Sequence, residues 1–144
     1  MPETITPLTP ASSLRSRCIM VFGTKGGVGK TVVAANVAIA LCQRIRKPVG
    51  LLDLDFIGMG DLAKMFGCAP RRSIVDLVPQ LKRQIPPDRV PLKEIVTTHS
   101  SGVELFQGLN HPRQANSLEP SIFPPLFDAH RVRYEYLVID GGKA

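Results

Sequence analysis

Thr24-Lys25-Gly26-Gly27-Val28-Gly29-Lys30-Thr31 is the stretch that decides how this chain folds. An apolar run, Cys18-Ile19-Met20-Val21-Phe22, precedes it, and a small-residue apolar stretch, Val32 to Leu41, follows. Strand, glycine-rich loop and helix in that order predict a phosphate-binding loop. Its successive backbone N–H groups form a nest for phosphate oxygens, and the helix N-terminus adds partial positive charge. Glycine is needed where a side chain would block that approach or where φ must be positive. Lys30 is placed to reach β- and γ-phosphates, and the Thr31 hydroxyl to ligate Mg²⁺. Three fixed glycines, each at ~7% usage, coincide by chance at about 3 in 10,000 positions. The general spacing G-x-x-x-x-G-K-[ST] asks for glycine at position 24, where this chain has Thr24.

Thr31 to Arg46 predicts a helix, since Ala34, Ala35, Ala38 and Ala40 favour helix and allow close approach to a sheet. Pro48 to Asp55 predicts a second strand, nearly continuously apolar, as a strand covered on both faces requires. A crossover helix between the two strands makes their pairing parallel. Further expectations are a short helix at 61–66 and a helix from Ile74 to about Arg83, N-capped by Ser73. A third strand is expected at 103–106, loop over 111–125, a helix from about Pro125, and a fourth strand at 134–140. Ligands of an open parallel sheet bind at the carboxyl ends of its strands. Asp53 and Asp55 after the second strand, and Asp140 after the fourth, are therefore expected on the edge that carries the phosphate loop. An apolar strand ending in Asp, as in Tyr136-Leu137-Val138-Ile139-Asp140, places a carboxylate to hold Mg²⁺ directly or through water. Asp53 either supports the metal or caps a turn.

Composition bounds the rest. The 144 residues are 44% hydrophobic and 21% charged, which suits one domain with a real core. Eighteen apolar residues never occur in a row, so no membrane-spanning helix is expected. Residues 1–16 are rich in Pro, Thr and Ser and read as a disordered leader or a linker, with the domain over 17–144. Cys18, Cys42 and Cys68 are far apart without a C-x-x-C, and His99, His111 and His130 are isolated. Reduced, packed thiols are expected, not a disulfide or zinc framework. The net charge of +6 is spread over short groups such as Arg44-Ile45-Arg46-Lys47 and Arg71-Arg72, as on a solvated face.

With Lys25 ahead of Gly26-Gly27-Val28-Gly29-Lys30-Thr31, the loop resembles the deviant Walker A loop of the ParA/MinD family of ATPases. The resemblance runs from about Arg17 to Gly142. It implies an α/β P-loop NTPase fold, a mainly parallel sheet flanked by helices, with about four strands present. It also implies ATP and Mg²⁺ as ligands, held by Thr24 to Thr31, with Thr31, Asp140 and Asp53 on the metal side. Lys25 would reach across a homodimer interface to the partner's nucleotide. Asp55 would orient the attacking water. Asp53-Leu54-Asp55, Gly60-Asp61-Leu62-Ala63, Arg72-Ser73-Ile74-Val75-Asp76-Leu77 and Ser101-Gly102-Val103-Glu104-Leu105 look like the CpaE/TadZ branch, which helps localise pilus assembly machinery. That branch implies pilus or secretion assembly proteins as partners. It also implies a cytoplasmic protein recruited to a cell pole or the inner membrane surface. A nucleotide-binding scaffold without hydrolysis and a DNA-partition ATPase of the ParA type share the same motifs. Family members continue past the position where this chain stops, so an N-terminal fragment is expected, with the first strand left at a sheet edge.

Overall fold

The structure, a computed structural model, describes residues 16–27 and 29–143. The leader, apart from Ser16, and Val28 of the phosphate loop lie outside the described residues. A mostly parallel sheet of five strands is flanked by helices. Its strands are β1 (Arg17–Gly23), β2 (Val49–Asp53), β3 (Val96–Thr98), β4 (Val103–Gln107) and β5 (Tyr136–Lys143), in the order β1-β5-β2-β4-β3. Only β3 runs antiparallel, against β4. The helices are α1 (Lys30–Ile45), α2 (Asp61–Met65), α3 (Val78–Lys82) and α4 (Phe123–Arg131). No helix among the described residues is long and apolar enough to cross a membrane.

Alternation along the central strands builds two cores. On β2, Leu51 joins one and Leu52 the other. On β5, Val138 faces the first, while Leu137 and Ile139 face the second. Both faces are thus covered, which is why these strands read as continuous apolar runs. Ala34, Ala35 and Ala38 of α1 are buried on the first face, and their small side chains let the helix lie close to the sheet. On the other face, Leu126 and Ala129 of α4 meet Ile74, Leu77 and Leu81. Among the described residues, β1 pairs with β5 alone and forms an edge of the sheet, as expected. Met20 and Phe22 on it are 51% and 64% exposed.

Several expectations need correction. The sheet has five strands, not about four: β3 is three residues long and too short to show in the sequence pattern. The second strand ends at Asp53, so Asp55 sits in the following loop. The helix from Ile74 to Arg83 is a 3-10 turn, Ile74–Leu77, followed by α3. Pro79 lacks the N–H that a continuous helix would bond back to residue 75. The last helix begins at Phe123, two residues earlier than expected. Over 111–125 the chain forms 3-10 turns at Pro112–Ser117 and Pro120–Ile122 before α4 begins. Finally, β5 does not end at Asp140. A bulge opposite Val21 and Phe22 lets it continue through Gly141 and Gly142 to Lys143.

Candidate nucleotide site

The carboxyl ends of β1, β2 and β5 converge on one edge, and the loop between β1 and α1 closes over it. Gly27 has φ +71° and Gly29 φ +83°, conformations that L side chains rarely adopt. A Cβ added at Gly26, Gly27 or Gly29 would meet nothing within 4 Å, so the loop's inner face is open ground. The helix α1 starts at Lys30 with Gly29 as its cap, and no side chain caps it. Its first N–H groups are therefore left for a ligand. The Lys30 ammonium curls over the loop and donates to the Lys25 carbonyl at 3.0 Å.

Behind the loop lie the carboxylates. The Thr31 hydroxyl donates to Asp140 Oδ2 at 2.8 Å across 109 positions of sequence, and the Gly142 N–H donates to Oδ1 at 3.3 Å. Asp140 is 1% exposed and Asp53 3%. The two are register partners on β5 and β2. Asp53 Oδ1 accepts from the Asp55 N–H at 3.1 Å, while its buried Oδ2 has no partner. Burial pushes the Asp53 carboxyl up to about 7; the bond from Asp55 opposes this, and the charges of Asp140, Asp55 and Asp61 add to it. A buried oxygen without a partner, beside a Thr–Asp pair, is a donor set that suits a hard divalent cation. Among the described residues, no three His, Cys, Asp or Glu side chains are grouped to hold a metal ion.

Asp55 is held by its own loop: Oδ1 accepts from the N–H groups of Ile57 at 3.1 Å and Gly58 at 2.9 Å. Neither bond uses Oδ2. The cleft, ≈ 440 Å³, is lined by Gly26, Gly27, Gly29, Lys30, Thr31 and Asp55 of the residues singled out in the sequence. Asp140 and Asp53 are buried behind Thr31. Thr24 and Lys25 are exposed and do not line the cleft. Sequence reasoning gave no site role to Val32, Ile57, Gly58, Asp61 and Lys143, which also line it. The register offers one signal for Lys143: it pairs with Gly23, the residue that leads into the loop.

Comparison with known proteins agrees with this fold. The family model for ParA, described as NUBPL iron-transfer P-loop NTPase, matches residues 15–105. The antiactivator FleN of Pseudomonas aeruginosa is 31% identical over 102 residues, covering 71% of this chain and 33% of FleN. Among solved structures, a ParA family ATPase from Chlorobium tepidum superposes with a TM-score of 0.75 at 24% identity, over 90% of this chain and 52% of that one. The septum site-determining protein MinD of Pyrococcus horikoshii, complexed with Mg-ADP, has a TM-score of 0.65 at 20% identity, over 86% of this chain and 49% of that one. At these identities the structural likeness speaks for the fold. The chain spans about a third of FleN's length and about half of the two structures. With the family model covering more than half of the residues, the chain belongs to the ParA family of P-loop NTPases.

Proposed function

We propose that this chain carries the phosphate and metal elements of a slowly hydrolysing Mg-ATPase that works as a nucleotide-dependent dimerisation switch. The observation that carries the reading is the bond from Thr31 to Asp140, which brings the glycine loop and the acidic strand end together. The loop N–H groups and Lys30 bind the phosphates. Thr31 and Asp140 would hold Mg²⁺, with Asp53 behind them; the ion, when bound, offsets negative charge on the phosphates. Asp55 lines the same cleft with an oxygen left over from its turn, and orients the attacking water. Phosphoryl transfer needs positioning and charge stabilisation more than covalent help, and these residues supply both.

In a complete protein, Asp55→Ala is expected to keep Mg-ATP affinity within about threefold and to lower turnover roughly 100-fold, leaving the dimer trapped. Single-turnover hydrolysis alongside equilibrium nucleotide binding is the check. Wild-type turnover would return Asp55 to a structural role.

Lys25 is exposed and does not line its own cleft, which is compatible with a residue serving a partner's nucleotide. Lys25→Ala is therefore expected to keep nucleotide binding by the monomer and to abolish ATP-dependent dimerisation. Light scattering that found a normal ATP-dependent dimer in this variant would contradict this role for Lys25.

The switch is proposed to position cellular machinery, pilus assembly in particular, from the cytoplasm. FleN, an antiactivator, and MinD, a septum site-determining protein, support a role in placement or regulation. The pilus assignment rests on the CpaE/TadZ-like segments at 53–63, 72–77 and 101–105. Loss of polar pilus assembly on deletion of the gene, restored by the wild-type gene and not by Lys25→Ala, is the expected result. Normal pili in the deletion strain would remove that assignment.

A further inference from the structure

The Asp55 carboxylate is wedged between two glycine backbones from different parts of the chain. One is Gly58, in the turn that Asp55 itself caps: a Cβ there would stand 2.8 Å from Asp55 Oδ2. The other is Gly142, beyond the bulge in β5, 87 positions away in sequence. A Cβ on Gly142 would stand 2.7 Å from Asp55 Oδ1, 2.8 Å from its Cγ and 3.0 Å from its Cα. Real Cβ contacts are not this short, and the neighbouring atoms are a carboxylate pinned by two N–H bonds and the backbone itself. Gly142 also has φ +68°, so its conformation and its surroundings both call for glycine. The same residue donates its N–H to Asp140 Oδ1, while Thr31 bonds Oδ2 of that carboxylate. Gly142 thus touches both acidic residues: it bonds the one behind Thr31 and leaves room for the one in the cleft. The bulge makes this placement, since it shifts the register of β5 by one residue just past Asp140.

We infer that Gly142 is a positioning residue for hydrolysis: by having no side chain, it sets where the Asp55 carboxylate stands relative to the phosphate loop. The inference rests on the proposed role of Asp55 as the residue that orients water. A Cβ at 142 pushes the Asp55 turn outward, and a displacement of about 1 Å in a positioning group is enough to cost up to 100-fold in rate.

The test uses Gly142→Ala and Gly142→Asn in the complete protein, each alone and combined with Asp55→Ala. Asn tolerates positive φ far better than Ala, so a loss shared by both variants belongs to the Cβ and not to backbone strain. Thermal unfolding confirms that each variant is folded. The expected result is a turnover lowered roughly 10- to 100-fold in both single variants, with Mg-ATP dissociation constants within about threefold of wild type. In the Asp55→Ala background, where the clashing carboxylate is gone, either change at 142 is expected to have no further effect. Wild-type turnover in both single variants would overturn the inference. So would nucleotide affinity falling in step with turnover, which would place the effect at the phosphates or Asp140. A full additional loss in the Asp55→Ala background would overturn it as well. Should Asp55→Ala alone turn over at the wild-type rate, it is the reading of Asp55 that fails first, a result that the single variants at 142 do not produce.

Discussion

Lys30→Ala is expected to weaken Mg-ATP binding on the order of 100-fold and to leave the fold intact. Lys30 is the first residue of α1, half-buried, with its ammonium 3.0 Å from the Lys25 carbonyl over the mouth of the loop. No carboxylate pairs with it among the described residues. Its charge is thus available to phosphate oxygens. Charge-assisted bonds from an ammonium contribute about 1.5 to 3 kcal/mol each, and one or two of them account for a loss on the order of 100-fold. Only a side chain at the edge of the cleft is removed, so the nucleotide-free melting temperature is expected to stay within about 2 °C. Arginine should not restore binding, because its planar fork does not replace a compact ammonium over a tight loop. Titration with a nucleotide alongside thermal unfolding separates the two effects. Wild-type affinity in Lys30→Ala would mean that this loop is not where phosphates bind.

The parts of the fold that the sequence made legible are those dictated locally. The strand–loop–helix over 17–45 was readable because glycine spacing and alanine content act within a few residues. The strands β2 and β5 were readable because burial on both faces leaves continuous apolar runs. That the acidic residues share one edge is an expectation of parallel topology, and in the fold the Thr31–Asp140 bond joins the loop to one of them over 109 positions. What escaped was set by segments too short to carry a pattern or by partners distant in sequence. The short β3 exists because His99 and Gly102 turn the chain back: the His99 N–H donates to the Val103 carbonyl at 2.9 Å and the Gly102 N–H to the His99 carbonyl at 3.0 Å. Three residues carry too little pattern to announce such a strand. The fourth strand is expected to stop at Asp140, whereas pairing of Gly142 and Lys143 with Phe22 and Gly23 carries β5 past it. Ile57, Gly58 and Lys143 enter the cleft from outside any quoted motif, and Asp61 from a segment quoted only for its family likeness, so the assembled edge is what reveals them.

Gly108→Ala is expected to be the most destabilising single change of its size near the site. Gly108 follows β4 directly, buried where that strand passes the end of β2. A Cβ there would collide with the Asp53 carbonyl oxygen and stand 2.9 Å from Phe56 Cε1. The Phe56 ring is able to turn aside. The Asp53 carbonyl is backbone at the end of a strand paired on both sides, with β4 at Gln107 and with β5 at Asp140, and it has no such freedom. Relief therefore requires β4 and β2 to separate at their carboxyl ends. That loosens the layer holding Phe106 and Leu52 and shifts the loop from Asp53 to Asp55. Overpacking of this kind costs about 2 to 4 kcal/mol. In a chain of this length it corresponds to a drop in melting temperature of roughly 6 to 12 °C. Because Asp53 moves with the backbone, Mg²⁺-dependent stabilisation by nucleotide is expected to shrink too, beyond the loss in the nucleotide-free protein. Calorimetric scans with and without Mg-ADP measure both. A melting temperature within 2 °C of wild type would show that the ends of β2 and β4 part easily, and that the acidic edge is less rigidly held than its two-sided pairing implies.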